Sequence, residues 1–115
     1  MIVGASIINI AYECWRDFFS ITHRSGSNEE HIKHTAEWIV SAQQVSGEVA
    51  GVAAAYSTRG WAKPYPEVTG YVIPTLFNVG LRFKEPRYKQ IAQVMADWLV
   101  SIQLDSGAFP GPDLK

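Results

Sequence analysis

Apolar residues recur at helical spacing in four stretches of the chain. Ile7, Ala11, Cys14, Trp15 and Phe18 fall at relative positions 0, 4, 7, 8 and 11, one face of a helix expected over about residues 5–21. A turn at Ser25-Gly26-Ser27-Asn28 follows. Asn28 is the expected N-cap, with Glu29 and Glu30 in the first turn, where the helix dipole favours negative charge. A second helix runs over about residues 29–45 and stops at Ser46-Gly47. Residues 47–66 form a long loop rich in Gly, Ala and aromatics. A third helix is expected over about residues 69–83, with Pro74 in its first turns or kinking it. Glu85-Pro86 opens a fourth, running to about residue 104 on a stripe of Ile91, Val94, Met95, Trp98, Leu99 and Ile102. No segment alternates convincingly with period two, so no substantial sheet is expected.

Two of these helices are copies of one another. Ala36-Glu-Trp-Ile-Val-Ser-Ala-Gln-Gln-Val-Ser-Gly47 aligns with Ala96-Asp-Trp-Leu-Val-Ser-Ile-Gln-Leu-Asp-Ser-Gly107 at a constant offset of 60, with seven of twelve positions identical. Amphipathic helices that resemble each other by chance share apolar positions. They do not also share Trp, Ser, Gln and a Ser-Gly stop. A fixed period of this size marks a repeat architecture. The expected fold is therefore all-α: a single domain over residues 1–115, built of two antiparallel αα-hairpins. The repeat units span about 5–47 and 67–107 and are joined by the loop at 47–66.

The stretch Trp98-Leu-Val-Ser-Ile-Gln103-x-x-x-Gly107-x-Phe109 resembles the Gln-x-x-x-Gly-x-aromatic repeat of the α/α-toroid proteins. These include squalene-cyclase-like and protein-prenyltransferase-like chains, and related six-hairpin toroids serve glycoside hydrolases and polysaccharide lyases. Gly60-Trp-Ala-Lys-Pro-Tyr-Pro-Glu-Val-Thr-Gly-Tyr-Val-Ile-Pro-Thr-Leu76 is similar to a segment of toroid proteins associated with bacterial polysaccharide biosynthesis. The resemblance covers about residues 30–112. It implies that the second and fourth helices are outer, that the first and third are inner, and that Gln43 and Gln103 tie outer helix ends to neighbouring backbone. It implies an architecture more than a chemistry, because fold does not fix function.

Composition narrows the function classes. The 115 residues are 47% hydrophobic and 18% charged, with a formal net charge of −1, which leaves no basic footprint for nucleic acid. No apolar run approaches the ~20 residues a bilayer span needs, and no secretory n-region is read, so the expectation is a cytoplasmic protein. The single Cys14 excludes an internal disulfide and a cysteine-cluster metal site. It lies on the apolar stripe of the first helix and is expected in the core. Glu30, His34, Glu37 and Ser41 form what reads as a solvated face, and neither His31 nor His34 has the spacing of a strong metal motif. No cofactor is expected: Gly-rich phosphate loops, Asp-rich diphosphate motifs and the cyclase acid motif are all missing.

The densest chemistry lies in the loop leading into the third helix: Tyr56, Arg59, Trp61, Tyr65, Glu67, Thr69 and Tyr71. Carbohydrate sites need flat aromatic platforms, here Trp61, Tyr65 and Tyr71, and polar groups for hydroxyls, here Arg59 and Glu67. Glu67 is the candidate catalytic residue. Near a helix N-terminus its anionic form is favoured, which suits a base or a sugar-binding carboxylate better than an acid. Tyr71, Thr75, Asn78 and Arg82, at offsets 0, 4, 7 and 11, form a thin polar stripe along the third helix that faces either a cavity or water. The same residues also read as structural: Glu67 and Thr69 as caps, Arg59 paired with Glu67, Trp61 and Tyr65 filling a gap; Trp38 and Trp98, outside this loop, read as packing residues.

Two functions fit. One is a partial toroid of a carbohydrate-active or polysaccharide-biosynthesis protein, a glycan hydrolase, lyase or epimerase if an enzyme, with residues 56–71 forming a glycan-contacting cavity mouth. The other is a non-catalytic helical-repeat module that self-associates or binds a partner; if the chain is complete, a homo-oligomer is expected.

Overall fold

The computed structural model describes residues 3–19, 26–47 and 50–111. It contains α1 (Val3–Phe18), α2 (Asn28–Gln44), α3 (Pro66–Phe83) and α4 (Pro86–Ile102). Between α2 and α3 lies one small antiparallel pair, β1 (Tyr56–Ser57) and β2 (Gly60–Trp61), with Tyr56 opposite Trp61. Among the described residues the structure is all-α apart from this hairpin and an isolated bridge between Ala53 and Pro64. The expected end of the first helix at residue 21 and the turn residue Ser25 lie outside the described residues.

Helix boundaries follow local chemistry. Ser27, rather than Asn28, caps α2: its Oγ accepts from Glu30 N at 3.3 Å, and Glu30 Oε2 accepts from Ser27 N at 2.6 Å. This reciprocal capping box satisfies two otherwise orphaned N–H donors. It also holds the Glu30 carboxyl below its ordinary value, chiefly through the Ser27 backbone hydrogen bond. The third helix begins three residues earlier than expected because Pro66 occupies its first turn, where a missing N–H costs nothing. It then runs unbroken through Pro74.

α3 and α4 form a closely packed hairpin, and α2 lies against α3. Lys84 takes the left-handed conformation at φ 55°, and the following N–H of Glu85 returns to Gly80 O at 3.0 Å. A methyl group on Gly80 would sit 2.9 Å from Lys89 Cγ and 3.2 Å from Glu85 O, so the bare backbone permits this close approach. The core is drawn from Ala36, Val40 and Ala42 of α2, Val52 and Ala53 of the loop, Leu76 and Val79 of α3, and Tyr88, Ala92 and Met95 of α4.

A polar clamp joins α2 to α4. Buried Tyr88 donates its hydroxyl to Glu37 Oε1 at 2.6 Å, and Arg87 grips both Glu37 oxygens at 2.9 and 3.1 Å. Glu37 therefore does not belong to a simple solvated face. The Tyr88 and Arg87 hydrogen bonds hold its carboxyl below the usual value. Burial, then the Glu37 contact, pushes the Tyr88 hydroxyl up to about 12.

α1 is packed differently. Its apolar stripe is largely uncovered, with Trp15 52% and Phe18 81% exposed, and Cys14 is exposed rather than core. The radius of gyration is 16.3 Å, against about 13 Å for a compact domain of this length.

The two copies of the repeated motif share a backbone feature at their glycines. Gly47 and Gly107 both adopt left-handed backbone, at φ 64° and 84°, just after α2 and α4. Gln103 Nε2 donates to Gly107 O at 2.8 Å, closing the turn as the motif implies. Burial differs between the copies: Val40 is buried, whereas its counterpart Val100 is 72% exposed.

Candidate functional site

The loop between α2 and α3 is an ordered finger. Ala53 N donates to Ala42 O at 3.0 Å and Tyr65 N to Val52 O at 3.0 Å, pinning its base. Thr69 completes the anchor. Fully buried, its Oγ1 accepts from Val52 N at 2.9 Å and donates to Tyr65 O at 2.8 Å. Thr69 is thus a structural bridge between finger and helix rather than a ligand group. At the tip, Gly60 takes φ 93°, and the β1–β2 register sets Tyr56 beside Trp61.

That register assembles an aromatic platform. Trp61 lies 4.8 Å from Trp38 and 4.9 Å from Tyr56, ring centre to ring centre, and Trp38 meets Tyr56 edge-on at 5.9 Å. Across from the rings, Asn9, Glu13 and Asp17 occupy successive turns of α1. Together with Ile10 and Cys14 they line an open cavity of about 580 Å³. Glu13 is ion-paired with Arg16 at 3.0 Å. The cavity thus offers apolar ring surface on one wall and an amide with two carboxylates on the other.

The remaining candidates lie elsewhere. Tyr65 donates its hydroxyl to Glu67 Oε2 at 3.1 Å, which raises the Tyr65 hydroxyl above its ordinary value. Both line a second hollow, of about 360 Å³, with Leu99, Phe109, Pro110 and Gly111. Glu67 does not cap α3; Tyr65 is the N-cap residue, with no side-chain cap bond. Arg59 is exposed at the hairpin turn, and no Arg59–Glu67 ion pair occurs among the described residues. Tyr71, Thr75, Asn78 and Arg82 are all exposed along α3, and Arg82 pairs with Glu29 of α2 at 3.5 Å.

Of the expected site residues, then, Tyr56 and Trp61 come together, Tyr65 and Glu67 form a separate pair, and Tyr71, Asn78 and Arg82 stay on the helix surface. Sequence reasoning misses Trp38 as a platform; the polar line of Asn9, Glu13 and Asp17 on the first helix is legible from its spacing, as a face toward a cavity or toward water, but its place opposite these rings is not. As a large aromatic on a helix, Trp38 reads from sequence as a packing residue. The hairpin register sets Tyr56 and Trp61 against its ring, and no helical period encodes that register. Among the described residues no group of three or more His, Cys, Asp or Glu is placed to hold a metal ion, and no helix is long and apolar enough to cross a membrane.

Comparisons with protein-family models, with curated proteins and with solved structures find no match.

Proposed function

We propose that this chain is a glycan-binding segment of an α/α-toroid-type repeat protein, with the ligand seated between α1 and the Trp38–Tyr56–Trp61 platform. The observation that carries this reading is the pairing of three contacting rings with Asn9, Glu13 and Asp17 across one cavity. A binding site of this kind needs apolar surface for contact area and a few placed polar groups for orientation. Ring faces take the C–H surfaces of pyranoses, and carboxylates accept hydrogen bonds from hydroxyls. Glu13 and Asp17, only partly offset by the Arg16 paired with Glu13, leave this wall net negative and disfavour further negative charge, so the reading specifies neutral or amino-sugar glycans over polyuronic ones. Glu67 keeps its candidacy as a base only for a ligand long enough to reach the second hollow.

The test is a glycan array probed with the wild type and Trp61→Ala. Wild-type binding to neutral or amino-sugar oligosaccharides, lost in the variant, is the expected result. Clear binding that is unchanged in the variant removes Trp61 from the site, and a blank wild-type array overturns the reading. A second reading, a non-catalytic module that associates through its helices, is favoured by the uncovered apolar faces at Trp15, Phe18 and Val100.

A further inference from the structure

α1 turns its apolar face away from its own molecule. Asn9, Glu13 and Asp17 line the cavity opposite the Trp38–Tyr56–Trp61 rings, so the polar side of the helix is the one toward the body. The other side holds Ile7, Ile8, Tyr12, Trp15, Phe18 and Phe19, which at 3.6 residues per turn fall within an arc of about 140°. Phe19 follows the last residue of α1 and keeps its turn, donating from N to Trp15 O at 3.1 Å. Exposure along the arc runs from 49% at Ile7 to 81% at Phe18. A surface helix of a globular protein does the reverse, burying its apolar stripe and showing water its polar one. The four rings also brace one another. Trp15 lies 6.4 Å from Tyr12 and 5.2 Å from Phe19, and Phe18 meets Phe19 edge-on at 5.2 Å. Rings held in this way lose little further freedom when a partner covers them.

We propose that a second copy of this chain covers this face, α1 against α1, in a two-fold dimer. The area is of the right size. At 52–81% exposure, the four rings offer roughly 500 Å² of apolar surface. Ile7 and Ile8 bring this toward the ~600 Å² a side at which stable interfaces begin. Using the same face on both copies closes the pair, so association ends at two. Lipid is the weaker occupant. Helices that lie in a membrane surface carry Lys and Arg beside the apolar face, whereas α1 sets Glu13 and Asp17 against a single Arg16. This proposal rests on the associating-module reading, whose contact face it names. It is independent of the glycan reading, because the arc leaves Asn9, Glu13 and Asp17 to the cavity.

The experiment is sedimentation equilibrium of the wild type, Ile8→Glu, Phe18→Lys and Val100→Lys. The first two substitutions lie at opposite ends of the arc, and each puts a charge where the α1 dipole favours it, so circular dichroism should match the wild type. Val100→Lys charges the other uncovered apolar position, on α4. The wild type should pass from monomer to dimer with rising concentration and go no further. Ile8→Glu and Phe18→Lys should each dimerise ~10-fold or more weakly, and Val100→Lys as the wild type does. A wild type that stays monomeric overturns both the proposal and the associating-module reading. If that monomer floats with phosphatidylcholine vesicles and Phe18→Lys does not, the face belongs to lipid and the proposal is overturned. Association undiminished in both α1 variants, association lost in Val100→Lys, or growth beyond dimers overturns the proposal while leaving self-association through another face.

Discussion

Single side chains decide how the finger and the helices are held. Thr69 carries two hydrogen bonds in a fully buried position, one of them from the Val52 N–H. Replacing it with Val keeps the shape but leaves that donor unpaired. We expect Thr69→Val to lower unfolding free energy by about 1–3 kcal/mol in urea melts, and Thr69→Ser to cost clearly less. Tyr88 makes a second prediction, this one about pH. Its hydroxyl titrates at about 12 in the fold against 10.0 ordinarily, so above pH 10 the unfolded chain gives up this proton first. The contribution is full below pH ~10 and is lost as pH rises toward ~12. Tyr88→Phe should cost about 1–2 kcal/mol at neutral pH and flatten that part of the alkaline decline. Glu37 acts at the other extreme: its lowered value gives a contribution present above its ordinary 4.5 and lost as the solution is acidified further.

At the scale of elements, the α3–α4 turn has a removable strain. Lys84 sits at φ 55°, a conformation that costs a residue with a Cβ and costs glycine nothing. Lys84→Gly should therefore raise stability by about 0.5–1 kcal/mol in thermal melts, with helicity unchanged. The helices themselves were legible because the 3.6-residue period of Ile91, Met95, Trp98 and Ile102 is imposed by burial along one face. Their starts were less so: Ser27 and Asn28 are both good caps, and only the position of Glu30 three residues after Ser27 separates them. The finger was invisible as structure, because β1 and β2 are two residues each and too short for an alternating pattern. The aromatic loop was legible as a candidate site, but not its division. Tyr56 and Trp61 turn toward α1 because of the hairpin register, while Tyr65 and Glu67 start a helix and face the Leu99–Gly111 hollow.

For the whole molecule, the repeat explains what the core does not. Matching tryptophans and left-handed glycines recur with the period seen in the chain, yet Val100 and the α1 stripe are uncovered where Val40 is buried. The pattern of apolar residues along α1 was readable; that they lack a partner was not, since periodicity marks an apolar face without saying what covers it. The same α1 supplies Asn9, Glu13 and Asp17 to the cavity, so the proposed ligand binds where the least packed helix faces the finger. The central claim is that this cavity takes glycan. It is tested most directly by following the indole N–H resonances of the four tryptophans while a neutral or amino-sugar oligosaccharide selected on the array is added. The account predicts that Trp38 and Trp61 shift and saturate together while Trp98, packed on Gly51, stays in place. Saturable binding that leaves Trp38 and Trp61 unmoved, or no shift in any of the four, would contradict it.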